Sequence, residues 1–409
     1  MKKLLYINID GFSYSYYERL KKEGKSQIFD KLAGDGTFFH NLSSGLVSIT
    51  NPMQSAILCG AYSNKTHNFY QHFDKKSLQI VKHKRTFDAE NVADVFLKSN
   101  KTVCSLHQFM LEDNPCKEGV EGNTYIKSPL AHSNFKDRFK ILKDIVQGKY
   151  VISGEKKMSF KEFPDFMAVY FDDIDSLGHN NDYGDVPKRH NFEDRQKDII
   201  DCLVEFQQEL DEFINICKST GLYDDLIILI ATDHGMTPFF GKSKLSDVLD
   251  LINKSGIKAD SAFDFDDESQ IIALPYTIEL SLYFIKPITS SQRERLISLL
   301  ESKDYVDRVF VKEEMEKNYG LDERGPDMLI SPTYGNHFYK KDCEENYFGA
   351  SHDSFHETSQ HIFGLVFGNV NHKGQIYTDK VNVIELLPSI LKNYFNLTLK
   401  DSTVKPIEI

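Results

Sequence analysis

Leu226-Ile227-Ile228-Leu229-Ile230-Ala231-Thr232-Asp233-His234-Gly235-Met236 decides the fold of this 409-residue chain. A run of aliphatic residues, many of them β-branched, reads as a strand buried on both faces, the kind found inside parallel sheets. The run stops abruptly at Asp233-His234-Gly235. The carboxyl end of such a strand is where open α/β sheets place their chemistry, and Asp beside His is a ligand pair that a zinc-type ion accepts. Taken alone, the pair also has a bland reading: an Asp that caps a helix and a His at the surface. Repetition elsewhere in the chain decides between the two.

The pattern recurs twice. Lys3-Leu4-Leu5-Tyr6-Ile7-Asn8-Ile9-Asp10-Gly11 is a strand ending in an acid, and Phe166-Met167-Ala168-Val169-Tyr170-Phe171 runs into Asp172, Asp173 and Asp175, with His179 four residues beyond the last. Three buried strands that hand acids and histidines to one sheet edge form a metal-site pattern. An ordinary acidic loop is the alternative for Asp175 and His179. Gly178, just before the His, favours ligation, because a flexible residue there is expected to let both side chains reach one ion.

Thr50 is the candidate nucleophile. Pro52 suits the first turn of a helix over residues 53–58, so Thr50 stands at or just before a helix N-terminus, where free N–H groups and the dipole favour an anion. The commonest role of such a threonine is a simple N-cap. Its hydroxyl attacks only if a base or a metal lowers its pKa, so its standing depends on the metal site. His352-Asp353-Ser354-Phe355-His356-Glu357, with His361, offers three histidines, of which one is expected as a further ligand. His67 and His72, downstream of Thr50, are either structural or line the substrate cleft.

The formal net charge of −12 gives no basic field for a nucleic-acid polymer. A small anionic substrate would instead need local cations, which bound metals would supply. Six cysteines without a CxxC pair fit reduced thiols in a cytoplasmic protein. The apolar N-terminus is broken by Asn8 and Asp10, so it reads as a core strand rather than a signal peptide, and no membrane association is expected. Helices are expected over residues 14–22, 28–33, 91–98, 136–145 and 194–217. Residues 34–46, rich in Gly, Ser and Asn, read as loop. The texture changes over 262–322, where a strand (276–285), a helix (290–300) and a strand (306–311) suggest a small inserted α+β subdomain within one catalytic domain spanning 1–409.

The ordered set Ile9-Asp10-Gly11, Thr50-Asn51-Pro52 with Gly60-Ala61-Tyr62 and His67, Asp175-Ser176-Leu177-Gly178-His179, Asp233-His234-Gly235-Met236 and a late His352 resembles the type I phosphodiesterase/nucleotide pyrophosphatase group of the alkaline phosphatase superfamily. The resemblance implies an α/β fold, an alkaline-phosphatase-like three-layer α/β/α sandwich with a mostly parallel central sheet, holding two divalent metal ions. It implies that Asp175, His179 and His352 hold one ion, and that Asp10, Asp233 and His234 hold the other with Thr50 bound to it. Zinc is the expected metal, and manganese accepts similar ligands. Asp353 follows His352 where the family has glycine, which keeps His356 open as the last ligand. The family's phosphate-steadying Asn is replaced near Gln71 and His72, and Asn51 stands where an aromatic residue is common. Asn51, Gln71 and His72 are thus the candidate substrate-binding residues. Sulfatases share the fold, but Thr50-Asn51-Pro52-Met53-Gln54 lacks the arginine of their motif.

The expected activity is hydrolysis of a phosphodiester or phosphoanhydride, nucleotide-like in character, through a covalent Thr50 intermediate. A phosphomonoesterase or phosphonate hydrolase on the same metals is one alternative. A catalytically silent binder of phosphorylated ligands is another, against which stands the retention of Thr50 beside a metal set.

Overall fold

A computed structural model describes residues 1–83, 88–127 and 134–409. Its centre is a nine-stranded sheet in the order Gln375–Tyr377, Gly36–Phe39, Gly364–Gly368, Leu226–Ala231, Lys3–Ile9, Phe166–Phe171, Val103–Leu106, Asn123–Ile126, Lys117–Glu118. Lys3–Ile9 lies parallel to both neighbours, so that Ile7 stands between Val169 and Ile230. Gly364–Gly368 alone runs against its neighbours on either side.

The two-residue period of a strand sends alternate side chains to opposite faces. Leu5, Ile7, Val169, Ile228 and Ile230 join one core with Leu20, Phe139, Leu203 and Phe206, from helices Tyr14–Lys22, Phe135–Val146 and Phe192–Ser219. Leu4, Tyr6, Ala168, Ile227 and Leu229 join a second core with Ile57, Phe96 and Leu387, from helices Thr50–Cys59, Val92–Lys98 and Leu386–Ile390. The result is a three-layer α/β/α sandwich with a mostly parallel central sheet, as the resemblance implies. The apolar runs that the sequence shows are continuous because both faces are covered.

Residues 34–46 are not a plain loop: Gly36–Phe39 pairs inside the central sheet, and Leu42–Ser43 forms a short outer strand. Thr37-Phe38-Phe39 is a β-branched and aromatic run whose side chains are buried. Gly36 serves the packing, since a Cβ there would stand 2.0 Å from the Val366 carbonyl oxygen.

The later part of the chain builds a second sheet, in the order Ala259–Ser261, Ile271–Pro275, Leu280–Phe284, Met328–Pro332, Val306–Val311. With helices Leu245–Lys254 and Ser290–Glu301 it encloses its own core of Val248, Ile252, Ala273, Leu282, Leu296, Leu300 and Ile330. The segment 262–322 lies inside this unit. The strand expected over 276–285 begins later, at Leu280, because residues 276–279 form a bend closed by the Tyr276 N–H donating to the Glu279 carbonyl at 3.1 Å. That bend reaches the cleft described next.

Candidate metal centre

Strand register brings the site together. Ile9 is level with Phe171, and Asn8 with Ala231, so the residues that follow each strand emerge at one edge of the sheet. Asp10 and Asp233 are fully buried there. After Phe171 the chain turns into a short helix, Asp173–Gly178, with His179 at its end. Asp175 and His179 share one face of that turn because four residues span about one helical repeat. Gly178 does not act as a hinge. Its backbone is ordinary helix, and its missing Cβ makes room for Met236, whose Cε would stand 2.7 Å from one.

Three imidazoles point into the edge. His234 Nε2 lies 3.2 Å from Asp10 Oδ1, 3.6 Å from Asp233 Oδ2 and 3.1 Å from Thr50 Oγ1. His179 Nε2 is 3.4 Å, and His352 Nε2 3.7 Å, from Asp175 Oδ1. The His234 and His352 rings stack with centroids 3.7 Å apart. The other ring nitrogen of each histidine faces a backbone carbonyl: His179 Nδ1 that of Ala350 at 2.8 Å, His352 Nδ1 that of Ser48 at 2.8 Å, and His234 Nδ1 that of Gly235 at 3.1 Å. A nitrogen facing a carbonyl carries a proton and donates it, so in the neutral ring it is the Nε2 lone pair that is turned toward a cation.

Two tight groups result, Asp175 with His179 and His352, and Asp10 with Asp175 and His234; in each the ligand atoms lie within 4.8 Å of one another. Asp233 stands just outside the second group. Its Oδ2 accepts from Gln54 Nε2 at 2.9 Å, and its Oδ1 from the His234 N–H at 3.1 Å. His352, not His356, joins the site. His356 caps the helix Glu357–Gln360, with Nδ1 accepting from the Thr358 N–H at 3.2 Å. His361 is occupied elsewhere, with its ring stacked on Tyr14.

The residues fit divalent cations. Asp10 Oδ1 and Asp175 Oδ1 are buried without a hydrogen-bond partner, a costly state for carboxylate oxygens that a cation relieves. Burial first, then the charges of Asp233 and Asp175, push the Asp10 carboxyl well above its usual range. Burial also works against ionisation of Asp175, but the adjoining His179 charge outweighs it and holds that carboxyl low. Carboxylate oxygens mixed with imidazole nitrogens are the donor set of zinc-type ions.

Thr50 is the first residue of its helix, and Ile49 before it contributes no side-chain cap, so the Thr50 hydroxyl faces His234 rather than a backbone N–H. A cleft of about 440 Å³ opens beside it, lined by Asn51, Tyr70, Gln71, Tyr276, Thr277 and Tyr339, together with site residues. His72 does not line it: its Nδ1 is 3.0 Å from His83 Nε2, and its ring lies against Phe69. His67 is also drawn away, 2.7 Å from Asp322.

Sequence reasoning missed a buried polar relay behind the acids. Gln108 Nε2 donates to Gln54 Oε1 at 2.8 Å, while Gln54 Nε2 donates to both Asp233 and Asn8 Oδ1, the latter at 2.7 Å. The Tyr170 hydroxyl donates to Asp10 Oδ2. The available signals were Asn8 interrupting an apolar strand two residues before Asp10, and Gln54 one helical turn after Thr50 in a largely apolar helix. Gln54 orients Asp233, and such supporting bonds typically govern metal affinity. Gln54→Leu is therefore expected to weaken metal binding by about 10- to 100-fold. Competition with a chromogenic chelator reads this directly, and wild-type affinity in the variant would refute the role.

The family model of type I phosphodiesterase / nucleotide pyrophosphatase matches residues 4–355. No curated protein matches the chain in sequence at a significant level. Among solved structures, an inactive threonine-to-alanine variant of murine ectonucleotide pyrophosphatase/phosphodiesterase 5 in complex with AMP is similar with a TM-score of 0.66 at 14% identity, over 100% of this chain and 98% of that one. The human ectonucleotide pyrophosphatase/phosphodiesterase 5 gives the same score and identity, over 100% of this chain and 97% of that one. At such identity the likeness concerns the fold.

Proposed function

Because the chain belongs to the type I phosphodiesterase/nucleotide pyrophosphatase family, whose members are phosphoric ester hydrolases, we propose that it cleaves a phosphodiester or phosphoanhydride of nucleotide type through a covalent ester on Thr50. The observation that carries this reading is the Thr50 hydroxyl, 3.1 Å from His234 Nε2, beside buried carboxylate oxygens that have no hydrogen-bond partner. In the AMP-bound relative, the inactive variant is one that replaces a threonine, which supports the same assignment.

Asp175, His179 and His352 would hold one cation, and Asp10, Asp233 and His234 the other. Two divalent ions, zinc by preference, would supply the positive charge that acidifies the Thr50 hydroxyl and offsets charge on the attacking and leaving oxygens. The N-terminal position of Thr50 on its helix directs free backbone N–H groups and the dipole toward the phosphoryl oxygens. Asn51 and Gln71 add neutral polar groups to the same wall. Thr50 Oγ forms its bond to phosphorus as the P–O bond to the leaving group breaks. The Thr50 hydroxyl proton passes to solvent water, and the leaving oxygen takes the bonding pair and is protonated from solvent where its basicity requires it. Water then cleaves the Thr50 ester and restores the hydroxyl. Tyr70, Tyr276 and Tyr339 leave room in the cleft for an organic group on the substrate.

Zinc-loaded full-length chain is expected to turn over bis-p-nitrophenyl phosphate faster than p-nitrophenyl phosphate. The reverse order would make it a monoesterase, and hydrolysis of neither would overturn the reading. Since burial and neighbouring charge raise Asp10, a proton competes with the cation for this carboxylate to higher pH than at an ordinary one. Zinc affinity is thus expected to rise with pH above the ordinary carboxylate range, with proton release in calorimetry; affinity independent of pH would contradict it. The six free cysteines support placement in a reducing compartment such as the cytoplasm.

A further inference from the structure

Asp353 follows the metal-set histidine His352, yet its carboxylate is turned away from the cation groups and into the second sheet. Oδ2 accepts three backbone N–H groups in succession, from Thr277 at 2.7 Å, Ile278 at 2.8 Å and Glu279 at 3.2 Å. Oδ1 accepts from Ser351 Oγ at 2.7 Å, and the side chain is 3% exposed. Charge-assisted bonds of this kind are the strong ones, and here four converge on one group. They seize the bend between strands Ile271–Pro275 and Leu280–Phe284, which puts Tyr276 and Thr277 into the cleft.

The same bend is held from its other side. The Tyr276 hydroxyl donates to the Gln71 carbonyl at 2.9 Å, and the Tyr276 ring stands edge-on to Tyr70 at 6.0 Å between centroids. Glu279, next to the clamp, is buried with Oε1 unpartnered, and burial together with Asp353 favours its neutral form. The four hydrogen bonds to the Asp353 side chain therefore govern the bend.

We propose that Asp353 is a positioning residue for substrate selection: by clamping residues 277–279 it fixes the Tyr276 wall against which the second organic group of a diester, the one that stays on phosphorus when the leaving group departs, packs. This rests on the hydrolase reading above. A monoester has no such group and does not use the wall. The segment's chemistry, neutral and aromatic at Tyr70, Tyr276 and Tyr339, suits an uncharged ring-bearing substituent.

The test uses the metal-loaded full chain and two variants. Asp353→Asn keeps the shape but removes the charge, and Tyr276→Phe cuts the opposite tether. Each is expected to lower the ratio of kcat/KM for bis-p-nitrophenyl phosphate over p-nitrophenyl phosphate by about tenfold, chiefly through KM for the diester. Metal per chain is expected to stay at the wild-type level, and amide exchange at residues 277–279 to quicken in Asp353→Asn. An unchanged ratio in an active wild-type background overturns the proposal. So does an equal loss on both esters accompanied by loss of metal, which would make Asp353 a support for His352 alone. Inactivity of the unmodified chain toward both esters refutes the hydrolase reading, and the proposal with it.

Discussion

Thr50→Ala is expected to lower diester turnover by on the order of 10³-fold or more while metal content stays near the wild-type level. The hydroxyl both touches the cation set, at 3.1 Å from His234 Nε2, and opens onto the cleft. The carboxylates and imidazoles around it are held by other means. Tyr170 bonds Asp10, Gln54 bonds Asp233, and backbone carbonyls fix the three histidines. Deleting the hydroxyl therefore leaves the cation cage standing. Metal analysis by mass spectrometry alongside steady-state kinetics separates the two effects. Near-normal turnover in the variant would end the nucleophile assignment, and loss of metal would move Thr50 into the ligand set in a structural sense. Thr50→Ser keeps a hydroxyl at the same place and is expected to retain far more activity than the alanine variant.

Stripping the metal should have the second large effect, on stability as well as on turnover. Asp10 and Asp233 are fully buried, Asp175 adjoins them, and one oxygen each of Asp10 and Asp175 lacks a hydrogen-bond partner. Without a cation the fold must confine like charges or take up protons, and both are unfavourable at neutral pH. At free metal 1,000-fold above its Kd, binding contributes about 4 kcal/mol to the folded state. Chelation is accordingly expected to abolish turnover and lower the melting temperature by several degrees, with both restored by added Zn²⁺. A melting curve indifferent to chelator and zinc would show that this edge of the sheet is not a metal centre.

Sequence alone determined much of this, and for a physical reason. Lys3–Ile9, Phe166–Phe171 and Leu226–Ala231 are buried on both faces, so each is apolar throughout and needs no distant partner to be read as a central strand. Acids and histidines directly after such runs must emerge at the sheet edge, which made Asp10, Asp175, His179, Asp233 and His234 legible before any coordinate. Local chemistry also marked the start of the Thr50 helix.

What depended on approach between remote segments was decided only by the tertiary structure. His352 was separated from His356 because one faces Asp175 and the other caps a helix, a difference that spacing does not encode. His72 left the cleft because His83 holds its ring, while Gln71 beside it lines the cleft. Gly36 looked like loop and proved to be strand, because its reason for being glycine is Val366, 330 positions away. Asp353 and Gln54 gained meaning only from the backbone bend and the carboxylate they bind. A side chain's burial and periodicity are written in its neighbours along the chain, whereas its hydrogen-bond partners are set by which surfaces the fold presses together.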